Sequence, residues 1–305
     1  MGMAASFSKR YISWPLQALL ARMLLLIFRL QGIDRGSDFG GWIGRKIGPR
    51  LSKSRTAQAN LKLAFPEKSD AERRQIELDM WDNLGRVIAE YAHLETLLNT
   101  AEDRFDFQIS PEAARVIMPE APLVGIGGHL ANWEAMAVAA RSAGLETGII
   151  YREPNNPHIR ALLKRVRGPS AVKLFPKSPD GARAALKHLR EGGFMGALID
   201  QRFNRGAAVP FFGQDAMTAT GPALMAVRSK APMILVLMER LEGARFRVHI
   251  PPPIPVPMDM DRNAAAVEMT RDATAQIEAH IRNKPGQWLW IHNRWKGRKK
   301  DWQKS

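Results

Sequence analysis

From Pro122 onward, four short apolar runs alternate with stretches of helical spacing. PLVGIG (122–127) precedes a helical stretch near 131–143, and TGIIY (147–151) precedes another near 156–167. FMGALID (194–200) follows one near 179–191, and PMILVLM (232–238) follows one near 220–230. Strands that are apolar throughout are buried on both faces, so this alternation predicts a mostly parallel sheet flanked by helices, an α/β fold. RFRVHI (245–250) alternates apolar and polar residues after a short Gly-containing turn, which predicts one antiparallel hairpin. PPPIPVP (251–257) fits neither a central strand nor a helix, so it crosses the surface to a last helix near 261–283. Residues 119–305 form the α/β core in this reading.

The preceding part reads differently. Apolar residues from Ile76 to Leu94 recur at helical spacing, behind Ser69 and Glu72 at capping-box distance. Residues 34–55, rich in Gly, Arg and Lys, read as an amphipathic connector, so 34–118 is a basic connector plus a helical segment. Residues 1–33 form a third unit. YISWPLQALLARMLLLIFRL (11–30) is strongly apolar but interrupted by Gln17, Arg22 and Arg29. An arginine near the centre of a span costs about 2.5–3.5 kcal/mol. With Trp14 and Tyr11 at one end, the pattern predicts an N-terminal membrane-associated helix. A buried core helix is the alternative, and no A-x-A-like site marks a cleaved signal.

Charge narrows the partners. The chain carries 45 Lys and Arg against 30 Asp and Glu, a net charge of +15. Residues 1–62 hold eleven basic and two acidic residues, and residues 284–305 hold seven and one, so the excess sits at the two ends. Such ends attract anionic lipid or an acidic protein; no nucleic-acid recognition motif accompanies them, so no nucleic-acid partner is expected. The absence of cysteine rules out a disulfide framework and a thiol nucleophile.

VGIGGHLANWEAM (124–136) places His129 just past a predicted strand, with Glu134 five residues on. Ligands of α/β sheets collect at the carboxyl ends of strands. The two side chains meet only if His129 stays in the turn and Glu134 opens the helix. A neutral imidazole there takes a proton from a hydroxyl, and a carboxylate fixes its tautomer. Backbone N–H groups of the turn are candidates for holding an oxyanion. By itself the pattern equally describes a capping histidine and a surface glutamate.

GGHLANWE resembles the H-x4-D/E box of glycerolipid-type acyltransferases, and more closely that of the late, secondary acyltransferases of lipid A biosynthesis. NLKLAFPE (60–67), YREPNNP (151–157) with Arg167, IDQR (199–202) with VPFFG (209–213) and TATG (218–221), and PGQWLWIHNRWK (285–296) resemble that family's further blocks, in order, over about residues 50–298. The resemblance implies transfer of a fatty acid from an acyl carrier protein thioester to a hydroxyl of a lipid A precursor, on the cytoplasmic face of the inner membrane. It implies His129 as general base and Glu134 as its partner, with Gly128 and Asn132 of the box on the substrate side. No cofactor or metal is expected, because the thioester is already activated. Acyl carrier protein, the lipid A precursor and anionic inner-membrane lipid are the expected partners.

Other candidates stay open between two readings. Arg152 and Arg167 are phosphate clamps or solvated charges. Asp200 orients Arg167 or a substrate hydroxyl, or makes a structural salt bridge. Thr218 contacts substrate or caps the next helix. Trp288, Trp290, His292, Arg294 and Trp295 form an aromatic-basic block suited to a lipid interface, with His292 read as structural. Competing functions are acylation of a glycerophospholipid or a mannosylated lipid from acyl-CoA, and a non-catalytic membrane-binding scaffold.

Overall fold

The computed structural model describes residues 9–151, 153–168 and 172–295. Its centre is a five-stranded, fully parallel sheet in the order β4-β3-β5-β2-β8. These strands are β2 (Leu123–Gly127), β3 (Thr147–Tyr151), β4 (Lys173–Pro176), β5 (Phe194–Leu198) and β8 (Met233–Leu235). The expected helices alternate with them: α6 (Trp133–Ser142), α7 (Pro157–Arg167), α8 (Pro179–Arg190) and α9 (Gly221–Ser229). The mostly parallel α/β fold read from the apolar alternation is the one observed.

Two runs do more than the sequence pattern foretold. PMILVLM divides at Val236, so that β8 serves the main sheet while β9 (Leu237–Arg240) belongs to a second one. There β9 pairs antiparallel with β10 (Phe246–Ile250), as expected for a hairpin. The other side of β10 carries β1 (Phe105–Ile109) in parallel register, a strand inside the segment read as connector and helices. A further hairpin, β6 (Ala207–Phe211) with β7 (Gln214–Thr218), turns at Phe212 and Gly213. Both turn residues have positive φ, 52° and 68°, the type I′ requirement. Phe212 is an unusual turn residue; its ring is buried against Phe65, Trp290 and the Arg282 guanidinium. The last helix, α10 (Arg262–Asn283), spans the expected range.

The N-terminal part is helical. Residues read as a connector form α2 (Ile33–Ile47), which packs along α4 (Asp70–Glu90). Glycines make that approach close: a Cβ on Gly85 would lie 2.0 Å from the Gly40 carbonyl oxygen. The glycines that look like linker composition are therefore a helix-packing face. Ser69 and Glu72 cap α4 reciprocally, as their spacing predicts. Between α2 and α4 lies α3 (Lys53–Ala64), and α4 continues through a short turn into α5 (Leu94–Asn99).

The first helix, α1 (Trp14–Leu30), follows a π-helical turn at Lys9–Ser13. Leu16, Leu19, Leu20, Met23, Leu26 and Ile27 are exposed, and only Ala18 and Phe28 of this helix are buried. Residues Arg10–Leu30 are long and apolar enough to cross a membrane. So much uncovered apolar surface sets α1 apart from a core helix and suits it to a membrane surface. Asn156, which caps α7, donates to the Trp14 carbonyl at 3.1 Å, tying this helix to the α/β body.

Gly85→Val tests the close helix contact. The added methyls meet backbone rather than a movable side chain, so overpacking lowers stability by about 1–3 kcal/mol or more. Thermal unfolding in detergent should move down by several degrees; an unchanged transition would mean that α2 and α4 do not pack as described.

Candidate active site

Strand register creates the site. Gly127 at the end of β2 lies opposite Leu198 at the end of β5. The residues two positions beyond each strand, His129 and Asp200, therefore emerge side by side at the carboxyl edge of the sheet. His129 Nδ1 lies 2.8 Å from Asp200 Oδ1, and the His129 backbone N–H donates to Oδ2 at 2.7 Å. Trp288 Nε1–H is the third donor to this carboxylate, reaching Oδ2 at 2.7 Å. Gly128 leaves the room required, because a Cβ there would sit 3.2 Å from Oδ2. Its lack of a side chain thus makes room for the carboxylate.

Asp200 is almost fully buried, its side chain 2% exposed. Burial opposes ionisation, yet the His129 ring, the His129 N–H and the Trp288 indole together outweigh it and hold the carboxyl at about 2. A permanent carboxylate accepting from Nδ1–H fixes His129 as the Nδ1-protonated tautomer when neutral, leaving Nε2 with the lone pair.

The expected His129–Glu134 pair is corrected by this geometry. Glu134 opens α6, as predicted, but both its oxygens are taken elsewhere. Arg167 donates from Nε to Oε2 at 2.8 Å and from Nη2 to Oε1 at 2.6 Å, and Tyr91 O–H donates to Oε1 at 2.7 Å. Burial disfavours the Arg167 charge, but Glu134 outweighs it and raises the guanidinium above its ordinary value. Burial first, then the Glu134 charge, pushes the Tyr91 hydroxyl well up. Arg167 is thus paired to Glu134, neither a solvated charge nor oriented by Asp200, whose hydrogen bonds go to His129 and Trp288. Arg152 lies outside the described residues.

The turn carrying His129 is fixed from behind. Asn132 caps α6 through Oδ1, accepting from the N–H groups of Glu134 and Ala135, and its amide donates to buried Glu90 at 2.7 Å. Glu90 pairs with Arg240, whose Nε–H donates to Asn83 Oδ1 at 2.9 Å. Asn83 in turn donates to the carbonyl of Ala131, at 3.0 Å, a residue held at φ 45°. Asn132 is thereby part of the scaffold that holds the turn. Thr218 is fully buried at the end of β7, accepts from Arg294 at 2.6 Å and caps no helix. Thr220 occupies the cap position of α9.

The C-terminal aromatic block is core, not a lipid interface. Trp288, Trp290, Arg294 and Trp295 are buried, the three tryptophans among Phe65, Phe211 and Phe212. Burial lowers Arg294 to about 10; the Arg294 guanidinium lies over the Phe211 ring and donates to the Met217 carbonyl. Asn60, from the NLKLAFPE stretch, donates at 2.7 Å to the carbonyls of both Trp290 and His292. It thereby fixes the segment carrying His292.

Two side chains given no part in the chemistry complete the site. Gln201 Nε2 lies 2.9 Å from His129 Nε2 and 2.8 Å from His292 Nε2. Burial and the neighbouring His129 lower His292 to about 4, against a smaller opposing pull from Asp200. Gln201 follows Asp200 directly in IDQR, so the adjacency was visible in the sequence although its partners were not.

His292 generates a pH prediction. An unfolded histidine titrates near 6.5, the folded one near 4, so between them the unfolded chain binds the extra proton. Stability should therefore fall as pH drops from 6.5 to 4. His292→Gln should shrink that fall measurably in denaturant midpoints; an identical pH dependence would contradict the buried neutral state.

Known proteins bear on this geometry. The family described as bacterial lipid A biosynthesis acyltransferase matches residues 6–297. A lipid A biosynthesis palmitoleoyltransferase of Escherichia coli (strain K12) is 27% identical over 267 residues, covering 85% of this chain and 84% of the relative. A lipid A biosynthesis acyltransferase of Shigella flexneri shows the same identity and coverage. A lipid A biosynthesis lauroyltransferase of Escherichia coli (strain K12) is 26% identical, covering 83% of each chain. The match runs from α1 through the His129 turn to the aromatic block, so the chain belongs to the bacterial lipid A biosynthesis acyltransferase family and is an acyltransferase of that biosynthesis.

Proposed function

We infer that the chain moves a fatty acyl group from an acyl carrier protein thioester to a hydroxyl of a lipid A precursor, by direct attack with His129 as general base. The observation carrying this reading is the His129 Nδ1 to Asp200 contact of 2.8 Å. It presents the lone pair of Nε2 at the carboxyl edge of the sheet, where substrates of α/β folds bind. The acceptor O–H gives its proton to Nε2 as oxygen attacks the thioester carbon. Collapse of the tetrahedral intermediate expels the thiolate, which takes the proton back from the imidazolium. Asp200 stabilises that imidazolium throughout and remains ionised itself.

Glu134 acts at one remove in this scheme, holding Arg167 and Tyr91 beside the site. The exposed apolar face of α1 supports a position against the bilayer, and we assign the protein to the cytoplasmic face of the inner membrane, where the carrier protein is. The basic ends of the chain suit both an acidic carrier and anionic lipid. Direct transfer needs no covalent acyl-enzyme, in keeping with the absence of cysteine and of a G-x-S-x-G elbow.

His129→Ala should fold and lose transfer by at least about two orders of magnitude, the usual range for removing a general base. Near-normal turnover would overturn the assignment. Asp200→Asn should cut kcat by roughly three to four orders, the scale of neutralising a carboxylate that fixes a histidine tautomer. Glu134→Gln should be milder; a reversed ranking in the same assay would return the dyad to His129 and Glu134. Deleting residues 1–30 should release the protein from vesicles of anionic phospholipid, and continued co-sedimentation would place the anchor elsewhere.

A further inference from the structure

Acyl transfer through a tetrahedral intermediate needs a donor aimed at the developing oxyanion, and the turn around His129 offers few. The His129 N–H is engaged by Asp200, that of Leu130 by the Gly128 carbonyl, and that of Ala131 by the Gln287 carbonyl. Those of Glu134 and Ala135 go to the Asn132 side chain. The N–H groups of His129, Leu130, Ala131, Glu134 and Ala135 are therefore already bonded within the protein. The Gln201 amide is a side-chain donor placed directly against the base, its Nε2 2.9 Å from His129 Nε2.

Its orientation follows from its neighbours. Asp200 fixes His129 with the proton on Nδ1, so Nε2 accepts. His292 is neutral, so its Nε2 is able to accept as well. An amide nitrogen carries two protons and satisfies both rings at 2.9 and 2.8 Å. Turned around, the amide oxygen would face the lone pair of His129 Nε2.

We propose that Gln201 supplies the oxyanion-stabilising hydrogen bond of the transfer, and that His292 positions it by accepting its second N–H. The proposal rests on the thioester-transfer reading above. In the resting site one Gln201 N–H occupies the lone pair of His129 Nε2. The acceptor hydroxyl must take that place, which frees the N–H as the thioester carbonyl arrives next to the nucleophile. The O–H proton passes to Nε2, the new C–O bond forms, and the carbonyl electrons move onto oxygen, where the Gln201 N–H meets them. Collapse reforms the carbonyl, breaks the C–S bond and returns the proton from Nε2 to sulfur. The amide exchanges one acceptor for another, so no donor is left unpaired at any stage. Gln201 is also partly shielded from solvent, which strengthens a hydrogen bond to developing charge.

The test uses the full-length purified chain with a fatty acyl carrier protein thioester and a lipid A precursor. Gln201→Ala should lower kcat about 10²–10³-fold, the scale of losing one oxyanion donor, with KM for both substrates nearly unchanged. Gln201→Glu, similar in size but without N–H donors, should be impaired at least as much. His292→Ala should lower kcat less, and His292→Gln should recover part of the loss because its amide oxygen accepts from Gln201. A kcat for Gln201→Ala or Gln201→Glu within about threefold of wild type would overturn the proposal. So would loss of the folded state in both variants, which would mark Gln201 as structural. If the wild type transfers and His129→Ala does not, while the Gln201 variants are normal, only this inference fails. If the wild type uses no acyl thioester, or His129→Ala is active, the underlying reading fails with it.

Discussion

One buried carboxylate organises this protein. Asp200 is withdrawn from water, and an ionised carboxylate in that position is tenable only with several donors converging on it. Three do so: the His129 ring, the His129 backbone N–H and the Trp288 indole. Each comes from a different part of the fold. β5 delivers Asp200, β2 delivers His129, and the C-terminal aromatic block delivers Trp288. Satisfying one carboxylate thus joins the parallel sheet, the Gly-Gly turn and the last described segment of the chain. The same bonds select the histidine tautomer, so the stability of the centre and its chemistry share one cause.

A second polar network stands behind the first and keeps the turn from relaxing. Glu90, wholly buried, accepts from Arg240, Asn132 and Ser37. Through Asn132 it reaches the start of α6, and through Arg240 and Asn83 it reaches the carbonyl of Ala131. Breaking a buried ion pair by removing one partner is strongly destabilising, which explains why residues so far apart in sequence act as one support. Glu134, Arg167 and Tyr91 form a third, largely buried set at the start of α6. The aromatic block closes the arrangement from the core side and holds His292 where Gln201 can reach it.

Much of this was legible in the sequence, for physical reasons that also mark where legibility ended. Parallel strands are apolar on both faces, so β2, β3 and β5 declared themselves as short apolar runs, and the box after β2 marked His129. The partner of His129 did not show, because parallel register brings Asp200 beside it across 71 residues, whereas Glu134 is near only along the chain. The α2 helix was masked by glycines that serve packing rather than flexibility. The β6–β7 hairpin was masked by Phe212, an apolar residue at a turn position usually filled by Asn or Gly. The tryptophans of the C-terminal block looked interfacial because composition does not distinguish an aromatic cluster at a membrane from one in a core. Burial decides that, and it is a property of the fold.

The account turns on Asp200, rather than Glu134, being hydrogen-bonded to His129. With seven histidines in the chain, ¹⁵N-histidine labelling and imidazole N–H spectra of the detergent-solubilised protein test this directly. A downfield Nδ1–H resonance that disappears in His129→Gln should also be lost or moved far upfield in Asp200→Asn, and persist in Glu134→Gln. A resonance that survives Asp200→Asn and vanishes in Glu134→Gln would contradict the account.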